Sequence, residues 1–121
     1  MVEMYPAARV GIKWVGDVHG KTYRPPWLGY NPSFRNPAIE ELDGTTATWD
    51  VVVKKILDVD DADRTASVVI QFAARQAPHN RFEKGLAFEL IEGLRPVWSG
   101  KILDVSDCPR DRSFWLSVDY L

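Results

Sequence analysis

Cysteine is almost missing from this chain. Cys108 stands alone, so no internal disulfide can form and a disulfide-stapled secreted scaffold is excluded. Histidine is equally scarce. His19 and His79 have no second histidine or cysteine at ligand spacing, which removes the usual zinc patterns and leaves no metal expected. No apolar run approaches the roughly 20 residues of a membrane span. The opening Met-Val-Glu-Met-Tyr-Pro lacks the basic and apolar regions of a secretory signal. A cytoplasmic location, without membrane partners, is the expectation. Charge of one sign is lacking too: the net formal charge is only −2.

That small total hides a split along the chain. Residues 9–35 hold Arg9, Lys13, Lys21, Arg24 and Arg35 against Asp17. Residues 40–64 hold Glu40, Glu41, Asp43, Asp50, Asp58, Asp60, Asp61 and Asp63 against Lys54, Lys55 and Arg64. Such an asymmetry is either solvated surface or a means of steering an anionic partner to one face.

What is abundant is apolar and aromatic. With 45% hydrophobic residues and five tryptophans in 121 residues, one domain spanning 1–121 can bury a real core. Strand patterns recur. ARVGIKWV (8–15) alternates, with Val10 and Ile12 opposite Gly11 and Lys13. TATWDVVVKKIL (46–57) sets Trp49, Val51 and Val53 against Asp50, Val52 and Lys54, and RTASVVIQFA (64–73) aligns Val68, Ile70 and Phe72. The acidic stretch 58–63 between these two is too short for a parallel crossover and predicts an antiparallel hairpin. WLGYNPSFR (27–35), interrupted by Pro32, reads as an irregular or edge strand. LAFELIE (86–92), RPVWSGKILDV (95–105) and SFWLSVDYL (113–121) complete the set. Many short strands and no convincing amphipathic helix predict an all-β barrel or sandwich.

Motifs for catalysis are weak. GDVHGKT (16–22) ends like a phosphate loop, but its spacer is one residue short and Tyr23-Arg24-Pro25-Pro26 cannot open a regular helix. No nucleotide and no other cofactor is expected. The aspartates at 58–63 lack the glycine and closing glutamate of a calcium loop, and Arg64 follows directly. Cys108 has no motif partner, and Ser99 lacks the strand-to-helix elbow of a hydrolase. Tyr30 and Phe34 read as core, whereas Arg24 and Arg35, near Tyr23, Trp27 and Tyr30, suit either plain surface or an interface.

Two blocks, GKTYRPPWLGYNPSF (20–34) and FEKGLAFELIEGLRPVWSGKIL (82–103), resemble the C-terminal β-barrel domain of elongation factor Tu. They fall in that family's order and at about its spacing. Gly29, Tyr30, Pro32 and Phe34 match the first motif, and Gly85, Leu86, Phe88, Glu92, Gly93, Arg95 and Val97 match the second. Asn31, Ile91, Leu94, Pro96 and Trp98 depart from it. The resemblance covers a core of about 7–106, leaving 107–121 as a C-terminal extension.

It implies a six-stranded antiparallel β-barrel of the elongation factor Tu C-terminal type, here with an added C-terminal strand. It also implies a binding module with no catalytic residues, since the domain serves that factor by packing on a sister barrel, holding the T-arm of aminoacyl-tRNA and meeting an exchange factor. The expected partner is thus a protein or a tRNA-like RNA, in a translation-related role. The candidate contact residues are Lys21, Tyr23, Arg24, Trp27, Arg35, Gly93 and Arg95. Two other classes stay open: an inhibitor or immunity-type decoy that neutralises a toxin or nuclease, and an unrecognised small-barrel enzyme.

The extension carries Phe114, Trp115, Leu116, Val118, Tyr120 and Leu121 close together, a pattern that needs cover. It is expected either to pack across its own barrel or to pair with a second copy in a homodimer. Deleting 110–121 is expected to lower the melting temperature by several degrees, because about 1 kcal/mol shifts a domain of this size that much. An unchanged melting curve from a soluble truncated monomer would contradict it.

Overall fold

The computed structural model describes residues 3–14, 27–36, 49–92 and 95–109. Among these residues six strands are present: β1 (Met4–Trp14), β2 (Ser33–Arg35), β3 (Trp49–Asp60), β4 (Thr65–Phe72), β5 (Ala87–Glu92) and β6 (Arg95–Pro109). They close into an antiparallel barrel in the order β1-β4-β3-β2-β5-β6. The all-β, six-stranded antiparallel barrel expected above is therefore the fold. One 3-10 turn, His79–Arg81, is the sole helical element among the described residues, and no described helix is long and apolar enough to cross a membrane.

Alternation builds the core. Ala8, Val10, Ile12 and Trp14 of β1 point inward, joined by Val51 and Val53, by Val68, Ile70 and Phe72, and by Phe88, Leu90, Trp98 and Ile102. In so narrow a barrel inward side chains leave no lumen. The acidic stretch does form a hairpin, with Asp60 opposite Thr65. Trp98, where the resemblance would place glycine, is among the largest fully buried side chains.

The segment 27–35 is not an edge strand. Its three paired residues bond β3 on one side and β5 on the other, because barrel closure leaves no edge. Pro32, buried, contributes a carbonyl that accepts from Val51 N–H at 2.9 Å. Phe34 plugs the barrel below, its ring 5.4, 5.5 and 5.2 Å from those of Phe72, Phe82 and Phe88.

The seam between β1 and β6 is the longest, running from Met4–Pro109 to Trp14–Trp98. Pairing of β1 with β4 stops earlier, at Ala7–Gln71. Below that point the ends of β1 and β6 leave β4 together. Gln71, outward in the pleat yet 2% exposed, follows them: its Nε2 donates to Tyr5 O and Cys108 O, both at 3.1 Å. Lys54 Nζ completes this clasp, donating to Gln71 Oε1 at 3.2 Å and Pro109 O at 2.7 Å.

Two glycines are required by geometry. Gly100 approaches β1 so closely that a Cβ would lie 2.4 Å from Gly11 O and 3.0 Å from both Ile12 and Phe88. Gly85 has φ +90° with open space around it, a conformation that side chains disfavour by about 1 kcal/mol. Gly100→Ala is expected to destabilise by about 2–3 kcal/mol, through overpacking against backbone, and Gly85→Ala by about 1 kcal/mol. Gly11→Ala, meeting only Leu103 at 3.5 Å, should stay within about 1 kcal/mol of the parent. Urea melts of the three variants test the ranking.

Candidate functional site

Antiparallel strands alternate direction, so the connections sort to the two ends of the barrel. β1 ends and β6 begins at one rim; the β3–β4 hairpin turns there, and the chain enters β2 from it. Of the four large hydrophobic residues that are exposed among those described, three belong to this rim: Trp27 at 40%, Leu57 at 43% and Val59 at 39%. Met4, the fourth, lies at the opposite end.

Trp27 is held as a platform. Its ring lies on Tyr30 at 4.0 Å, and Tyr30 meets Trp98 edge-on at 5.0 Å. The stack runs from solvent into the core. Backbone bonds extend β2 back toward it, with Gly29 N donating to Val53 O and Val53 N to Tyr30 O, both at 2.9 Å. Trp27 thus lies beside the outer half of β3, the half that carries Leu57 and Val59.

The β3–β4 hairpin projects past the barrel. Val59 has the pleat parity of a core residue, since its partner Ala66 pairs with Ile12, yet it is exposed because the wall has ended there. A register irregularity between Ile56 and Asp58 turns Leu57 out. At the tip, Asp60 Oδ1 accepts from Asp63 N at 3.1 Å and Arg64 takes a left-handed φ of 57°. Arg64 O then accepts from Trp14 N at 3.0 Å, tying the hairpin to β1.

Asp58, Asp60, Asp61 and Asp63 are all exposed and have no ion-pair partner among the described residues. Among the described residues, the rim thus sets three exposed apolar side chains beside four aspartates of the hairpin. No three His, Cys, Asp or Glu among the described residues gather in a way that could hold a metal ion.

The candidates read from sequence divide around this rim. Trp27 is in it. Arg95 opens β6 opposite Glu92 at the same end. Lys21, Tyr23, Arg24 and Gly93 lie outside the described residues, as does the tail 110–121. Arg35 does not join Trp27 and Tyr30, because β2 carries it toward the other end, in register with Glu89.

Lys13 of the basic block and Asp60 of the acidic block share a cross-strand row through Thr65. Leu57 and Val59, which the sequence reading missed, gave only one signal: apolar residues continuing into an acidic turn.

Compared with known proteins, the chain matches no protein family, and no curated protein matches it.

The platform and the core should respond differently to truncation. Trp98→Ala is expected to cost about 3–5 kcal/mol, whereas Trp27→Ala, half in solvent, should cost only about 1 kcal/mol for its lost stacking. Equal losses in thermal melts would show Trp27 to be structural.

Proposed function

We propose that the chain is a non-catalytic binding module that takes a protein partner on the rim formed by Trp27, Leu57 and Val59. One observation carries the reading: of the four exposed large hydrophobic residues among those described, three stand together at one end of the barrel. A rigid, stacked tryptophan loses little conformational freedom on binding, the property of an interface anchor. The aspartates of the hairpin favour protein over RNA, because four carboxylates repel a phosphate backbone. The resemblance to the C-terminal barrel of elongation factor Tu supports the same class of role. On that resemblance we place the chain among barrels of that type, with a translation factor or a dedicated target of inhibition as the partner.

Affinity capture from a cell extract, with the full chain as bait and with or without RNase, tests this. The expected result is one protein recovered in stoichiometric amount, unaffected by RNase and lost with Trp27→Ala combined with Val59→Asp. RNase-sensitive recovery of RNA, or protein recovery indifferent to those substitutions, would overturn it.

A further inference from the structure

The wall of the barrel carries a second surface, separate from the rim. A shallow trough of about 590 Å³ lies over it. Its centre is a patch of six outward positions on three adjacent strands, β4, β1 and β6. Strand register sets them in two rows, Ser67–Gly11–Lys101 and Thr65–Lys13–Ser99, and all six line the trough. Only directly paired strands are involved, and closure of the barrel leaves such neighbours in place. Lys13 and Lys101 are diagonal neighbours, which puts their Cβ atoms about 7 Å apart. Gly11 lies beside both and carries no side chain to fill the space they share. Leu103 bounds that space on one side, 3.5 Å from where a Cβ of Gly11 would lie. The two lysines are exposed and have no ion-pair partner among the described residues. Nor are the hydroxyls of Thr65, Ser67 and Ser99 committed to another side chain among those residues. Two cations and three hydroxyls thus share one patch that holds no carboxylate. Asp58, opposite Ser67 on β3, is the one acidic residue that lines the trough, and Glu89, opposite Ser99 on β5, lies outside it.

We propose that this patch binds the phosphate group of a small phosphate monoester. Such a group carries a charge of about −1.5 to −2 at neutral pH and offers three acceptor oxygens, which matches two ammonium groups and hydroxyls from three strands. Lysine binds phosphate as a point charge, and its long, flexible stem lets both ammonium groups reach one anion above Gly11. The hydroxyls then donate to the remaining oxygens. A phosphate held there also relieves the repulsion between two like charges kept as diagonal neighbours. The volume of the trough falls in the range of small-molecule sites, about 300–1,000 Å³, and leaves room beside the phosphate for the rest of the ligand. A nucleic-acid strand fits less well. Its further phosphates would be carried toward Asp58 on one side or Glu89 on the other, where carboxylates repel them. The site works independently of any protein held on the rim.

The test titrates the full, isotope-labelled chain with glycerol phosphate and follows the backbone amide signals by nuclear magnetic resonance. Glycerol phosphate is expected to shift the signals of Gly11, Ser67 and Ser99, and to bind at least about tenfold more tightly than glycerol, with the preference fading as salt rises. Lys13→Gln with Lys101→Gln should weaken binding by about tenfold, since both charge-assisted contacts are lost. Lys55→Gln, which removes an exposed lysine outside the trough, should leave it unchanged; circular dichroism checks that each variant is folded. Trp27→Ala should also leave it unchanged, which separates this site from the rim. No binding of glycerol phosphate at millimolar concentration, shifts confined to other residues, or an equal loss in Lys55→Gln would each overturn the proposal. So would binding seen only with vesicles containing phosphatidic acid, or only with a single-stranded oligonucleotide.

Discussion

The barrel closes through three residues. Ser33, Phe34 and Arg35 are the whole of β2, yet they hold β3 on one side and β5 on the other. Backbone bonds from Gly29, Tyr30 and Pro32 lengthen the seam with β3, and the side chain of Phe34 adds aromatic rings from β4, from β5 and from the 3-10 loop region. Those contacts tie distant parts of the chain to the weakest stave. Above it, Tyr30 does the same for the upper half through Trp98, and with the wall closed at this point the rim has a stable base.

Much of this was legible in sequence because strand alternation is a local property. Val10 and Ile12, Val51 and Val53, and Val68, Ile70 and Phe72 all face the core as their period of two required. The hairpin was equally local, its acidic turn being too short for any other connection. Pro32 misled, since proline inside a strand usually marks an edge; here its missing donor is tolerated because β2 pairs only briefly and Pro32 offers its carbonyl alone. Val52 was placed on a polar face and does point outward, yet it is 2% exposed.

The rim was not legible in the same way. Leu57 and Val59 continue a strand pattern, so they read as interior until the length of β3 is set against the height of the barrel. Their exposure is a property of where the wall stops. The outward rows of the wall depend on register between strands far apart in sequence, which brings Lys13 beside Ser99 and Gly11 beside Lys101. Bulges such as that between Arg9 and Val10 shift such rows, and nothing in one strand announces the slip that its neighbour will impose.

The clasp at Gln71 governs how this barrel can be carried. By drawing the joined ends of β1 and β6 onto the outside of β3 and β4, it fixes Pro109 over Lys54, on the side wall, while Met4 stays paired beside it. Both ends of the described barrel thus leave side by side, at the end opposite the β3–β4 hairpin. A cargo or anchor attached there would hold the domain like a lamp on a bracket, with the β3–β4 hairpin turned outward.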